Sequence, residues 1–212
     1  MTSPMNRIAL SLAAASFALL ASPALSQTVP APAAAPAKAE DLVKVTLDTS
    51  AGRIVLALDR GRAPITTANF LHYVDAGRYN GIGFYRAMTT HNGGLIQAGI
   101  TDDARKMFAP IAHESTLQTG IKNQAGTIAF ANAGPGTARS HFFIMVSDFP
   151  SLDATATDPG FAAFGHVVEG MEVVKAILAA PVSSTKGAGA MKGQMLEPVV
   201  KITKAARLAK TP

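Results

Sequence analysis

Residues 126–146 read GTIAFANAGPGTARSHFFIMV, and this stretch decides how the rest of the chain is read. Thr127 to Phe130 is a short β-prone run. Ala131 to Ser140 is polar and Gly-rich, built on Asn132, Gly134, Pro135, Gly136 and Thr137. His141 to Val146 is a continuous apolar run, too short for a helix and aromatic enough for a buried strand. Strand, tight loop, strand is a way to hold a shallow pocket on a rigid frame, because loops carry function when a scaffold positions them. Adjacent strand residues point to opposite faces, so one of Phe142 and Phe143 faces the core and the other the pocket.

Working outward, the flanking segments are also strand-like. Val43, Val45 and Leu47 alternate with polar residues, as do Ile54, Leu56 and Leu58 with their neighbours, and Thr49 to Gly52 lies between them. This predicts a hairpin with one buried face. Pro64 stops the second strand. Thr66 or Thr67 is expected to cap a helix that buries Phe70, Tyr73 and Val74 and ends at Gly77. Strands are expected over 83–88 and 95–100, with a polar loop at 89–94. Residues 101–122 read as polar and irregular, and 147–160 as a long loop. Residues 161–168 read as a strand. Met171, Val174, Ile177 and Leu178 recur at helical spacing before Pro181. Residues 182–194 form a loop, and 198–208 the last strand. About eight strands and two helices, far apart in sequence, do not make the βαβ repeat of a parallel sheet. A mainly β fold is expected: a closed eight-stranded antiparallel barrel capped by two α-helices, since closure removes exposed edges.

The composition narrows the class. Hydrophobic residues make up 48% and charged residues 16%, which reads as globular. The formal net charge of +5 is spread along the chain, without the basic stripe of a nucleic-acid binder. With no cysteine, disulfides and thiolate chemistry are excluded. The five histidines show no metal-ligand spacing, so neither metal nor cofactor is expected. The 132–137 loop lacks the Gly-Lys-Ser/Thr of a phosphate loop, and no Gly-x-Ser-x-Gly accompanies Ser140 and His141.

Residues 1–26 resemble a secretory signal: Arg7 gives a positive start, Ile8 to Leu20 is apolar, and Ala24 to Ser26 offers small residues for cleavage before Gln27. An uncleaved anchor is the other reading, although the apolar run is short of the about 20 residues a span needs. Residues 27–40 are a Pro/Ala-rich linker expected to be extended. The folded domain is expected over 41–208, followed by a 209–212 tail. The expected location is the periplasm, with no stable membrane association after cleavage.

Together the motifs resemble a cyclophilin, a peptidyl-prolyl cis-trans isomerase. The resemblance covers about residues 42–208. It is carried by Phe84-Tyr85-Arg86, Gln97, the run Phe130 to Thr137, the run Ser140 to Ile144, Phe164-Gly165, and Val167 to Val174. Any one is weak; in this order and at near-matching spacings they are specific. On its own Arg86 reads as a surface ion-pair residue, but the resemblance implies that it is the catalytic arginine. It also implies that Gln97, Ala131 and Asn132 hold the substrate backbone and that Phe143, Leu95 and Leu152 wall the proline pocket. Phe161 stands where the family usually has His, and His141 where glutamine is usual. His141 is counted with the substrate-binding residues.

Three departures bear on function. The segment between Arg86 and Gln97 is about three residues longer than in the family, and Gly94 replaces a pocket phenylalanine. Ser151 stands where eukaryotic members carry a tryptophan that contacts cyclosporin. These changes are expected to open one side of the pocket and weaken drug binding.

The implied reaction suits these residue types. Rotation about a peptide bond crosses a barrier of about 18–20 kcal/mol, and X-Pro bonds populate both isomers. No nucleophile or proton shuttle is required. A permanently charged arginine placed by the twisted amide stabilises it over the planar one. The implied partners are proline-containing polypeptides, exported proteins during folding, and a monomer is expected. The alternatives are a proline-peptide-binding chaperone with weak or no turnover, and a scaffold built on the same barrel.

Overall fold

The computed structural model describes residues 41–209. The expected signal peptide and linker, and residues 210–212 of the tail, lie outside the described residues. Nine strands form one sheet: β1 (Leu42–Thr49), β2 (Gly52–Asp59), β3 (Gly83–Thr90), β4 (Gly93–Gly99), β5 (Thr127–Phe130), β6 (Phe142–Met145), β7 (Ala163–Glu169), β8 (Val182–Ser183) and β9 (Met195–Arg207). The order is β1-β2-β7-β5-β6-β4-β3-β9-β8, and β1 also pairs with β9. Eight strands therefore close a ring, with two-residue β8 outside it. Every pairing is antiparallel, so the expected barrel is what forms.

Among the described residues three α-helices accompany it: α1 (Pro64–Asp75), α2 (Thr116–Thr119) and α3 (Met171–Leu178). The α1 and α3 helices are the two expected caps. The single turn α2 arises inside the stretch read as irregular. Its signal is local: Ser115 and Gln118 make reciprocal cap bonds, and Gly120 closes the turn at φ +71°. The α1 helix also starts earlier than expected. Pro64 stands at its first turn, where a missing N–H costs nothing. Neither Thr66 nor Thr67 is the cap. The buried Glu114 carboxylate, distant in sequence, accepts from the Ile65 and Thr66 N–H groups at 3.2 and 2.7 Å and from the Thr66 hydroxyl at 2.7 Å.

The barrel interior is closed by aromatic side chains. Phe70 of α1 meets Tyr79, Phe130, Phe142 and Phe164 with ring centroids 5.0–6.3 Å apart. All five are fully buried, and each contributes on the order of 1.5–3 kcal/mol through burial. Period-two alternation sends Ile96, Phe142 and Ile144 into this interior. It leaves Leu95, Gln97 and Phe143 on the outer face, Gln97 opposite Phe143 in the β4–β6 pairing.

Two local features position the site. In β3, Phe84 pairs with Ala98 and Arg86 with Gln97, so Tyr85 is an extra residue there; against β9 the extra residues lie on β9, where Leu196 to Val199 fall between the partners of Arg86 and Phe84. Such a bulge breaks the strict alternation. Phe84 and Ala87 are buried, while Tyr85, Arg86 and Met88 are all partly exposed. The segment expected to be an enlarged loop at 89–94 is instead paired: Thr89 lies opposite Gly94 and Thr90 opposite Gly93, leaving His91 and Asn92 as the turn. The extra residues lengthen a hairpin. Likewise the last strand begins at Met195 rather than Pro198, because β9 continues to pair with β3 up to Arg86.

Candidate active site

Arg86 is held by two neutral amides. Its Nη1 donates to Gln97 Oε1 at 2.9 Å, and its Nε to Gln194 Oε1 at 2.8 Å. Its Nη2 reaches the Met88 sulfur at 3.5 Å. Burial pulls the guanidinium below its usual pKa, an effect partly opposed by Tyr85; an arginine starts high enough to remain charged.

Beside this group lies an outer-face cavity of about 440 Å³, lined by Met88, Leu95, Gln97 and Phe143 with Ala131, Asn132, Phe149, Ser151, Leu152 and Phe161. That is within the range of small-ligand sites. Phe143 and Phe161 meet edge to face at 5.4 Å. Leu152 and Phe161 come from the long loop after β6, and Asn123 holds that loop in place. Its buried side-chain amide donates to Leu152 O at 2.9 Å and to Asp153 Oδ1 at 3.0 Å. Phe161 N–H closes the wall by donating to Leu152 O at 2.9 Å.

The loop between β5 and β6 is fixed from both sides. Internally, Asn132 Oδ1 accepts from Gly134 N–H at 2.9 Å, and Thr137 Oγ1 accepts from Ala133 N–H at 2.9 Å and donates to Gly134 O at 2.7 Å. From the core side, Asn69 donates to Arg139 O at 2.7 Å and the Tyr79 hydroxyl to Ser140 O at 3.1 Å. Asn132 Nδ2 is buried with no partner, a donor at the edge of the cavity.

The structure thus brings Arg86, Gln97, Leu95, Ala131, Asn132, Phe143, Leu152 and Phe161 around one cavity. His141 is the exception. It lines an adjoining shallow groove with Tyr85, Met107, Arg139 and Met191, which Gln97, Ala131 and Asn132 also border. Its Nδ1 lies 3.0 Å from the Tyr85 hydroxyl. Burial pushes Tyr85 up to about 12 and lowers the His141 pKa. Tyr85 and His141 thus form a neutral pair sharing one hydrogen bond, whose donor is set by the imidazole tautomer.

Three residues at the site were not expected. Met88 and Phe149 join the apolar lining, and Gln194 braces Arg86. Met88 had a signal, two residues after Arg86 on an outward-facing strand. Phe149 and Gln194 depend on pairings across the fold. Gly94, which stands in for a phenylalanine, lies at φ +152°, and a Cβ there would sit 2.1 Å from Met88 O. The hairpin geometry itself requires glycine.

Comparison with known proteins bears on this geometry. The family described as cyclophilin type peptidyl-prolyl cis-trans isomerase/CLD matches residues 42–207. Peptidyl-prolyl cis-trans isomerase cyp18 of Streptomyces antibioticus is 41% identical over 150 residues, covering 68% of this chain and 87% of that protein. Peptidyl-prolyl cis-trans isomerase A of Dickeya dadantii is 42% identical over 137 residues, covering 63% and 70% respectively. The crystal structure of a Cryptosporidium parvum cyclophilin-type isomerase shares the fold, with a TM-score of 0.65 at 20% identity over 81% of this chain and 100% of that one. The barrel, the arginine-bearing cavity and these relatives agree: the chain belongs to the cyclophilin-type peptidyl-prolyl cis-trans isomerase family.

Proposed function

We propose that this protein accelerates rotation about X-Pro bonds in exported proteins as they fold, with Arg86 as the catalytic group. The observation that carries the reading is the placement of one braced guanidinium, unpaired with any carboxylate among the described residues, at the rim of an apolar cavity. The proline ring enters between Phe143, Leu95, Met88, Leu152 and Phe161. Gln97, Ala131 and Asn132 hold the chain to one side of the bond. As the amide twists, its nitrogen regains a lone pair, and the Arg86 N–H groups stabilise that state more than the planar one. About 5 kcal/mol of differential stabilisation gives several thousandfold acceleration. No proton moves in this scheme.

A second structural neighbour supports the ligand class. The same Cryptosporidium parvum protein was crystallised in the presence of the dipeptide Ala-Pro. The exported setting rests on the signal-like residues 1–26, and the protein is proposed to work in the periplasm as a monomer.

Exchange NMR on a proline-containing peptide tests the reading. Wild-type protein accelerates isomerisation and Arg86→Ala loses most of the acceleration. Equal rates for the two proteins would overturn it. Peptide binding without acceleration would select the chaperone alternative. Fractionation of cells expressing the full chain tests the location, and recovery in the cytoplasm would refute it.

A further inference from the structure

We infer that Gln194 is a positioning residue for Arg86, through which the 189–194 turn controls the catalytic group; this rests on the isomerase reading above. Both ends of one amide are committed. Gln194 Oε1 accepts from Arg86 Nε at 2.8 Å, and Gln194 Nε2 donates to Ala190 O at 2.9 Å. The side chain cannot flip without breaking both bonds, because its oxygen and nitrogen would exchange roles.

The backbone is fixed just as firmly. Gln194 O accepts from Ala87 N–H at 2.9 Å, directly after Arg86, and Gln194 N–H donates to Met191 O at 3.1 Å. The turn Gly189–Met191 is therefore tied to β3 at its bulge.

A guanidinium held only at Nη1 by Gln97 keeps freedom to rock about that contact. A second acceptor at Nε, on another edge of the same planar group, sets the plane. Both acceptors are uncharged. The full positive charge therefore remains available to the cavity, which a carboxylate at either position would cancel. Preorganised donors act in a dry site because no reorganisation is needed during reaction.

Two readouts test this. In kinetics, Gln194→Leu lowers kcat by roughly tenfold, the scale of one hydrogen bond to a charged group, with KM changed less than twofold. In the Arg86→Ala background the same substitution changes the residual rate less than twofold, because Gln194 acts through Arg86. In NMR, the Arg86 Nε–Hε signal of wild type is sharp and slow to exchange, and Gln194→Leu shifts it and speeds its exchange, whether or not turnover is detected. Unchanged kcat, or an equal loss in both backgrounds, would overturn the proposal, as would an unmoved Nε–Hε signal. Absence of wild-type turnover would instead overturn the isomerase reading and leave the NMR result to decide whether Gln194 braces Arg86. A Gln194→Glu variant separates bracing from charge. It keeps the Nε–Hε signal protected while kcat falls, and full activity of that variant would refute the role given to neutral acceptors.

Discussion

Replacing Arg86 by lysine separates charge from geometry at this site. The native guanidinium engages Gln97 through Nη1 at 2.9 Å and Gln194 through Nε at 2.8 Å. Those bonds leave a fixed plane with Nη2 beside Met88 at the cavity rim. An ammonium keeps the charge, but its donors sit on one atom at the end of a flexible stem. It can satisfy one amide oxygen, not both, while also addressing a substrate. Loss of one preorganised donor at an acyl-transfer site costs about 2.7–4 kcal/mol. A twisted amide develops less charge than an oxyanion, so about 2–3 kcal/mol is the better scale, or roughly a 30- to 150-fold loss. Folding is affected less: one of the two glutamine oxygens loses its charged donor, at a cost of about 1–2 kcal/mol. Exchange NMR on a proline peptide gives the rate, and urea unfolding gives the stability. A lysine variant within threefold of wild type would show that positive charge suffices and that the planar fork is irrelevant.

Other expectations follow from single contacts. Gly94→Ala puts a Cβ 2.1 Å from Met88 O at φ +152°, so it should lower stability by about 2–3 kcal/mol; an unchanged urea midpoint would contradict the hairpin geometry. Asn123→Ala removes the bonds to Leu152 O and Asp153 and should cost about 2 kcal/mol while raising KM, because the Leu152 and Phe161 wall loosens; a lower stability with unchanged KM would remove its link to the pocket. Burial holds His141 below its usual pKa, so the unfolded chain binds the proton first as pH falls. Its contribution is intact above about 6.5 and declines below it. His141→Gln should lose less stability than wild type between pH 7 and 5, and parallel stability curves would count against this. With Ser151 in the cavity lining, cyclosporin should bind weakly, and inhibition at nanomolar drug would show otherwise.

How much of this was readable from residues alone depended on whether the cause was local. Phe142 and Phe143 illustrate the readable part. Strand alternation required one to face each way, and the structure assigns Phe142 to the interior and Phe143 to the cavity. The barrel was legible for the same reason, since each strand carried its own alternation or apolar run. Arg86 needed the family resemblance, because the bulge at Tyr85 upsets the alternation that would have given its facing. The start of α1 was missed because its cap is Glu114, 48 residues beyond Thr66. Gln194 was missed because its role exists only once β9 lies beside β3. The polarity of the 89–94 segment predicts a loop, yet the pairing of Thr89 and Thr90 with two glycines extends the hairpin. His141 sits at the expected point in the chain, but its ring turns to Tyr85.

The filled barrel carries a consequence for what the enzyme can accept. Phe70, Phe130, Phe142, Phe164 and Tyr79 leave the inside solid, so the cavity is a notch in the outer wall. A client chain need not thread through anything, and neither of its ends has to be free. A proline in the middle of a long polypeptide, flanked by segments that have already folded, can be presented side-on as a bent loop. Reach is then limited by how far the client's loop stands clear of its own surface rather than by the length of the client.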